Sequence, residues 1–269
     1  MVRFKLRIHT NYVLLLFLLI KLFYMLILRP YIFNRFPEII SGVSTKIGAG
    51  RNFPYFLNMS LSVGDDEIIV KENRKLFFES LEITPENISY QKQVHGEEIS
   101  FVTKGGLYGE SDAIINDKPG IVLAISIADC VPVLLYEPEK KIIAGVHSGW
   151  RGTQKKILLK SLMKLEELGC SSKNIIAYIG PSISKNVYEI GNEVSDLFDE
   201  KYIDKKAGKY FLDVAGVNLD ILISFGVKKN NISVSHLCTF AMKDILHSYR
   251  RDGVKSGRSL AVIAMRENI

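Results

Sequence analysis

Apolar residues recur every three to four positions in two stretches of this chain, which is the spacing of a single helix face. In TQKKILLKSLMKLEELG, which begins at Thr153, the apolar positions share one face, and Gly169 suits the end of a helix. Those positions are Ile157, Leu158, Leu162, Leu165 and Leu168. A second helix is predicted from Asp66 to Leu81, where acidic residues at the N-terminus complement the helix dipole.

The centre of the chain has a different pattern, with short apolar runs rich in β-branched residues. GIVLAISIADC predicts a strand, and VPVLLYEPEKKIIAGVH predicts a hairpin that turns about Pro138 and Glu139. Pro132 cannot donate a backbone hydrogen bond, so we expect it on an edge strand or at the start of a strand. Strands and helices together predict an α+β fold.

Residues 1–24 form an apolar leader that is distinct from the rest of the chain. NYVLLLFLLIKLFYMLIL follows three basic residues and is interrupted by Lys21. It is slightly short for a membrane anchor, which needs about 20 apolar residues, and it lacks the small residues of a signal-peptide cleavage site. A third interpretation, which we favour, is that translation starts at Met25. We therefore expect residues 25–269 to form one cytoplasmic domain, with a signal anchor in the inner membrane as the alternative.

Composition narrows the choice of partners. The 269 residues carry a formal net charge of +6, but the leader supplies four basic residues and no acid. The remaining +2 is too small and too scattered to indicate nucleic acid binding. Three cysteines without paired spacing argue against a disulfide framework and favour a reducing compartment. We expect a monomer with small-molecule partners.

The hairpin makes a specific prediction about chemistry. If Pro138 and Glu139 occupy the centre of the turn, Cys130 and His147 lie directly opposite each other. Opposite side chains have Cβ atoms about 4.5–5.5 Å apart, whereas a slip of one residue would put them on opposite faces. Zinc binds sulfur at about 2.3 Å and nitrogen at about 2.1 Å. The thiolate and the imidazole could therefore share one metal ion.

A third ligand is suggested by QKQVHGEE, where His95 follows an extended run and Gly96 permits a sharp turn. Three protein ligands leave one position open for water or substrate, which is typical of catalytic zinc. Each residue also has a structural interpretation: Cys130 as a small core residue, His147 as the end of a strand, and His95 as a surface histidine.

Residues beside this candidate site suit a polar or anionic substrate. Arg151 lies between a strand and the helix expected from Thr153, where unpaired N–H groups attract anions. A surface ion pair is the alternative for Arg151. Asp129 precedes Cys130 and could orient a ligand or a substrate. Trp150 could either pack in the core or stack on a base.

Many motifs along the chain resemble, in order, the signatures of one family. They include FPEIISGVSTKIGAG, QKQVHG, ESDAII, ADCVPVLL, AGVHSGWRGT, IGPSISKNVYEIGNEV and SYRRDGVKSGRS. In this order they resemble the YfiH-like family, whose members are also called laccase-domain, polyphenol oxidase or peptidoglycan editing factor proteins. The resemblance implies a metal ion, zinc or alternatively copper, bound by His95, Cys130 and His147. It also implies a four-layer α/β/β/α sandwich of mixed sheets flanked by helices.

The resemblance further implies a purine nucleoside enzyme. Such an enzyme splits adenosine, inosine and S-methyl-5′-thioadenosine with phosphate, giving the base and (methylthio)ribose 1-phosphate, and it deaminates adenosine. Cys130, His147 and Arg151 are the candidate catalytic residues, Arg151 and Lys46 the candidate phosphate contacts, and Gln93 a candidate polar contact to the substrate. Lys46 stands where the family usually has arginine, and lysine lacks the bidentate fork of arginine.

Three other functions remain open from the sequence. A cysteine hydrolase or amidase that edits cell-wall peptide precursors would use Cys130 as nucleophile and His147 as base. A membrane-tethered metal-binding accessory protein would depend on the apolar leader. A copper polyphenol oxidase is disfavoured, because a multicopper site needs more imidazole ligands than five histidines supply.

Overall fold

The computed structural model describes residues 25–267, so the apolar leader and its three interpretations lie outside the described residues. The helices are α1 (Glu67–Glu79), α2 (Trp150–Gln154), α3 (Ile157–Glu167), α4 (Asn192–Ser195), α5 (Val214–Phe225) and α6 (Tyr249–Asp252). The strands are β1 (Ile27–Leu28), β2 (Ile39–Ser44), β3 (Ile88–Lys92), β4 (Ile99–Phe101), β5 (Gly106–Glu110), β6 (Ala113–Asn116), β7 (Val122–Ile127), β8 (Val131–Glu137), β9 (Ile142–Ser148), β10 (Ile176–Ile179), β11 (Glu189–Ile190), β12 (Ile203–Lys206), β13 (Lys209–Leu212), β14 (Ile232–Val234) and β15 (Ser259–Met265). Within the described range, none of the helices is both long enough and apolar enough to cross a bilayer.

Two six-stranded sheets form the centre of the fold. The first has the strand order β1-β2-β15-β7-β3-β5, and the second has the order β14-β10-β8-β9-β6-β4. Both are mixed, since β3 runs parallel to β5 and β7, and β6 runs parallel to β4 but antiparallel to β9. A small antiparallel sheet, β11-β13-β12, accompanies them.

The two large sheets stack face to face because their strands are apolar on both sides. Along β7, Leu123 and Ile125 point into the core between the sheets, whereas Val122 and Ala124 join the core under α1. The outer face of the second sheet is covered by α3 and α5. This order of layers confirms the predicted α/β/β/α sandwich.

Helix α1 begins where the sequence predicts. The Asp66 carboxylate accepts hydrogen bonds from the backbone N–H groups of Ile68 and Ile69, which satisfies two unpaired donors of the first turn. The helix ends at Glu79, two residues before the predicted Leu81.

The helix predicted from Thr153 to Gly169 is instead two helices, so that prediction is wrong at its start. The short α2 begins at Trp150, directly after the second sheet's strand β9, and the left-handed backbone of Lys156 (φ 64°) separates it from α3. The break allows α2 to continue from the strand end while α3 turns its apolar face onto the sheet. A pattern of apolar positions does not reveal such a break, because Lys156 lies on the polar face.

The predicted hairpin is present as β8 and β9, but its register differs by two residues from the prediction. The turn contains four residues, 138–141, and the strands close with Glu137 opposite Ile142. The Glu137 carboxylate accepts a hydrogen bond from Lys140 N at 2.7 Å, and Lys141 takes a left-handed φ of 54°, which together lengthen the turn. Pro132, not Cys130, therefore lies opposite His147.

The prediction for Pro132 is correct in its second alternative, the start of a strand. Pro132 is the second residue of β8, lies opposite His147 of β9, and accepts a hydrogen bond from Gly180 N just beyond the last pair with β10. The strand itself lies between β9 and β10 in the interior of the sheet rather than at its edge.

Candidate metal centre

Three residues that are distant in the sequence meet at one end of the second sheet. His95 lies in the loop after β3, Cys130 directly precedes β8, and His147 is the penultimate residue of β9. The metal-ligating atoms of the three side chains all lie within 4.8 Å of one another. A register shift of two residues, unlike a shift of one, keeps Cys130 on the same face of the sheet as His147. Cys130 becomes a diagonal neighbour of His147, so the two side chains still lie close together.

The spacing of the donor atoms fits a metal ion. In a tetrahedral zinc site with ordinary bond lengths, sulfur and nitrogen ligands lie about 3.6 Å apart. Cys130 Sγ and His95 Nε2 are separated by 3.7 Å, and the His95 and His147 ring centroids by 4.9 Å. His147 is buried, whereas His95 is exposed and Cys130 is partly exposed, so a small molecule can reach the site from the side of His95.

A buried carboxylate supports both histidines. Asp112, which immediately precedes β6 and is fully buried, accepts a hydrogen bond from His147 Nδ1 at 2.7 Å. It also accepts the backbone N–H groups of Val94, His95 and Gly96, at 3.1, 3.0 and 2.6 Å. Because a carboxylate can only accept, the Nδ1 atom of His147 carries the proton and Nε2 remains for the site.

Asp112 belongs to the ESDAII motif, and its role was not predicted from the sequence. Its partners lie 16–18 and 35 residues away along the chain, so no local spacing connects them. The available signal was a carboxylate at the start of an otherwise apolar strand, where an acid is costly to bury unless it has several hydrogen-bond donors.

The electrostatics of the site favour an ionised thiol. Burial alone would raise the pKa of Cys130, but the positive charge of His147 and hydrogen bonds from His147 and His95 lower it to about 6. Burial opposes protonation of His147, yet the Cys130 thiolate and the Asp112 carboxylate raise the pKa of this imidazole to about 9. Before any metal binds, the site is thus an ion pair of thiolate and imidazolium.

Gly149 explains part of the AGVHSGWRG motif. A side chain at this position would place its Cβ 2.8 Å from Cys130 Sγ and 3.0 Å from His95 Cδ2, which is closer than atoms can pack. The backbone φ of Gly149 is −71°, so the requirement is for space rather than for an unusual conformation. Only glycine lets the chain pass directly behind two of the ligands.

Arg151 lies in the first turn of α2, with an exposed side chain whose Cζ is 4.3 Å from the centre of the Trp150 ring. Trp150 itself is partly buried against the core on the outer face of the second sheet, which favours packing as its role. Buried hydrogen bonds among Ser148, Thr153 and Asn218 attach α2 to β9 and α5. Arg151 thus lies on a rigid support four residues after His147, with an exposed side chain.

The other predicted substrate contacts have protein partners. Both polar atoms of the Gln93 amide bond to the backbone of Ser126, at 2.7 and 2.8 Å. Lys46 lies 4.2 Å from the ring centre of Phe56, and its pKa is lowered by burial and by the nearby charge of Arg251. Their contact with substrate stays a prediction.

The described hydrogen bonds of the Asp129 carboxylate go to residues other than the three candidate metal ligands. Asp129 has a positive φ of 94°, and its carboxylate accepts hydrogen bonds from Thr239 Oγ1 at 2.6 Å and from Arg250 N at 2.7 Å. It therefore fixes the turn that leads into Cys130 and attaches it to α6. Its predicted contact with a ligand or substrate stays a prediction.

Arg250 and Tyr188 border the site and were not predicted as functional residues. The Arg250 guanidinium lies 5.0 Å from the centre of the Tyr188 ring and donates a hydrogen bond to Glu189 O at 2.7 Å. Burial and the negative charge of Cys130 raise the pKa of Tyr188 to about 12, so its hydroxyl is neutral. Arg250 thus places a cation over the Tyr188 ring.

The family model described as multi-copper polyphenol oxidoreductase laccase matches residues 40–266. A purine nucleoside phosphorylase of Bacteroides thetaiotaomicron is 34% identical over 221 residues, which cover 74% of this chain and 81% of the relative. Adenosine deaminase RL5, from an unknown prokaryotic organism, is 28% identical over 252 residues, which cover 86% of this chain and 96% of the relative. The crystal structure of the Bacillus licheniformis hypothetical protein YfiH has a TM-score of 0.83 at 29% identity and covers 90% of this chain and 96% of its own.

These findings agree with the resemblance in the sequence motifs and with the four-layer fold. The matched region contains all three ligand residues and Asp112. The chain belongs to the multi-copper polyphenol oxidoreductase laccase family, whose relatives include the YfiH-type proteins.

Proposed function

We propose that this chain is a zinc-dependent purine nucleoside enzyme. It splits adenosine, inosine and S-methyl-5′-thioadenosine with phosphate, and it deaminates adenosine. The observation that carries the proposal is the approach of His95, Cys130 and His147 to within 4.8 Å at an accessible end of the sheet. The names of the curated relatives, which are purine nucleoside phosphorylases and an adenosine deaminase, support it.

The donor set favours zinc. Zinc binds both thiolate and imidazole ligands, and its catalytic sites have three protein ligands and an open fourth position. Copper is the alternative, since the same ligands also bind copper. The described residues contain a single group of three side chains with metal-ligand spacing, which fits one ion rather than a cluster of coppers.

The residues themselves prepare the site for the ion. Cys130, with a pKa lowered to about 6, is ionised at neutral pH and can ligate without first losing a proton. Hydrogen bonding of His147 Nδ1 to Asp112 keeps a proton on Nδ1, so Nε2 is the nitrogen that becomes free to ligate when the ring loses its second proton. When bound, zinc supplies a Lewis-acid charge beside the reacting centre.

Phosphorolysis requires phosphate to be held below C1′ of the ribose. A phosphate oxygen forms a bond to C1′, the bond from C1′ to the purine nitrogen breaks, and the purine leaves with the electron pair and takes up a proton. Arg151 is the proposed phosphate contact because its exposed guanidinium can bind two oxygens at once. Arg250 and Lys46 are further candidates. In the deamination, water adds to C6 of adenine and ammonia leaves.

The proposal is tested with purified full-length protein and adenosine, with and without inorganic phosphate. We expect ribose 1-phosphate only in the presence of phosphate, and inosine in both conditions. Replacement of Arg151 by Ala should raise the KM for phosphate in the first reaction and leave inosine formation largely unchanged. Absence of both products would contradict the proposal.

A cysteine hydrolase or amidase is the second candidate, and the low pKa of Cys130 favours it. An ionised thiol beside two imidazoles is the arrangement of an activated nucleophile. Chelation separates the two functions. Activity that disappears on metal removal supports the nucleoside enzyme, whereas activity on a peptide amide that survives chelation and disappears on alkylation of Cys130 supports the hydrolase.

A further inference from the structure

The Asp112 carboxylate accepts hydrogen bonds from both histidine ligands. Its Oδ1 accepts hydrogen bonds from His147 Nδ1 at 2.7 Å and from His95 N at 3.0 Å. Its Oδ2 accepts hydrogen bonds from Val94 N at 3.1 Å and from Gly96 N at 2.6 Å. All four donors are therefore paired with a single buried carboxylate.

The hydrogen bond between Asp112 Oδ1 and His147 Nδ1 fixes the tautomer of His147. An imidazole in solution can carry its proton on either nitrogen, and only the unprotonated nitrogen can bind a metal. The carboxylate selects the proton on Nδ1, so that Nε2 is the free nitrogen when the ring is neutral. The backbone of His147 reinforces this contact, since His147 N donates to Asp112 O at 2.7 Å.

The hydrogen bonds from the backbone N–H groups of Val94, His95 and Gly96 to Asp112 fix the backbone of His95. This residue has a φ of 58°, in the left-handed region that a non-glycine residue rarely occupies. Such a conformation persists only where the surroundings hold it. Three consecutive N–H groups directed at one carboxylate supply that constraint and bring the His95 ring to 3.7 Å from Cys130 Sγ.

We propose that Asp112 is a positioning residue that couples the two histidine ligands and holds the centre assembled before the metal arrives. This inference rests on the proposed metal site but not on the nucleoside activity. Asp112 is suited to the task because it precedes β6, whose pairing with β9 fixes its distance from His147.

Replacement of Asp112 by Asn leaves too few acceptor oxygens to bind both His147 Nδ1 and the backbone N–H groups of residues 94–96. Asparagine has nearly the same shape, but one acceptor oxygen becomes an NH2 donor. If the amide oxygen stays on His147, the NH2 group faces the N–H groups of Val94 and Gly96. If the amide turns over, the NH2 group faces His147 Nδ1 and favours the tautomer that cannot bind metal through Nε2.

The test measures zinc affinity by competition with a chelator, together with the ¹⁵N spectrum of the imidazoles in metal-free protein. D112N should bind zinc about 10- to 100-fold more weakly than the wild type. In metal-free wild-type protein, at a pH alkaline enough for the His147 ring to be neutral, the remaining ring proton should lie on Nδ1. Near neutral pH, the backbone amides of residues 94–96 should show slow hydrogen exchange. D112N should change the tautomer or speed that exchange.

The matched control is Asp66→Asn. Asp66 also accepts two backbone hydrogen bonds with its carboxylate, but it lies at the start of α1, away from the centre. This variant should bind zinc with wild-type affinity and leave the His147 tautomer unchanged.

Two results would overturn the proposal. One is D112N that binds zinc as tightly as the wild type. The other needs no variant, and so does not depend on whether D112N folds: metal-free wild-type protein in which the neutral His147 ring carries its proton on Nε2, or in which amides 94–96 exchange freely. Zinc binding that behaves as described without any ribose 1-phosphate would instead contradict the nucleoside function and leave the role of Asp112 intact.

Discussion

At the scale of single residues, the centre depends on how closely its ligands pack against the backbone. Cys130 and His95 pack against the chain at Gly149, and the Asp112 carboxylate accepts a hydrogen bond from His95 N. The ligands therefore have little freedom to move apart. Small changes at these positions should affect metal binding more than they affect the fold.

Replacement of Gly149 by Ala should weaken zinc binding, because the new Cβ would lie 2.8 Å from Cys130 Sγ. Overpacking of this kind costs about 1–3 kcal/mol, and here the thiol and the His95 ring are the groups that must move. The measurement is zinc affinity by chelator competition. Gly109→Ala is the control, since no atom lies within 4 Å of its added Cβ; equal affinities in the two variants would contradict the prediction.

In metal-free protein, Cys130 should react with iodoacetamide at an unusually low pH. The rate should reach half of its maximum near pH 6, because the His147 charge and hydrogen bonds from both histidines stabilise the thiolate against the cost of burial. Mass spectrometry identifies the modified residue. Cys170, whose pKa is raised to about 12 by burial and by the Glu137 charge, should stay unmodified over the same range. A midpoint near the ordinary thiol value of about 8.5 would refute this account of the site.

At the scale of elements, the strand and helix patterns were predictable but their junctions were not. The apolar runs identify β7, β8 and β9, and Asp66 marks the start of α1. The hairpin register depends instead on the Glu137 carboxylate, which caps the turn, and on the left-handed Lys141. Neither property is visible in EPEKK, which suits a two-residue turn equally well.

The left-handed Lys156 between α2 and α3 provides a prediction at this scale. Because a residue with a side chain is strained at φ 64° and glycine is not, Lys156→Gly should raise the free energy of unfolding by about 1 kcal/mol. The adjacent Lys155, with φ −77°, offers the matched control. Lys155→Gly should lower the stability instead, and chemical denaturation measures both; destabilisation by both variants would contradict the assigned strain.

At the scale of the whole molecule, the layered architecture creates the centre. The loop after β3 belongs to the first sheet, whereas Cys130, His147 and Asp112 belong to strand ends of the second. The packing of the two sheets brings these ends together. The ligand trio could be proposed from the hairpin and the family motifs, but Asp112 could not, because its role exists only once the loop of one sheet meets the strand ends of the other.

Buried His247 should make the stability of the whole protein fall in acid. Burial lowers the pKa of His247 to about 3, whereas the unfolded residue titrates near 6.5. The unfolded state therefore gains a proton first, so stability is full above about pH 6.5 and is lost as the pH falls toward 3, by at most about 1.4 kcal/mol per pH unit. His247→Gln should show a smaller slope in denaturation measured between pH 6.5 and 4. An unchanged slope would mean that His247 is not neutral in the folded protein.

The central claim is that the centre formed by His95, Cys130 and His147 performs phosphorolysis of purine nucleosides with a bound zinc ion. In the most direct measurement, full-length protein is stripped of metal, supplied with one equivalent of zinc, and then given adenosine and inorganic phosphate. The stripped protein and the Cys130→Ser variant are measured in parallel. From the zinc-supplied wild type alone, we predict ribose 1-phosphate in an amount equal to the sum of adenine and hypoxanthine, the latter arising from inosine formed by deamination. Zinc-supplied protein that forms neither ribose 1-phosphate nor inosine, or stripped protein that is equally active, would contradict the claim.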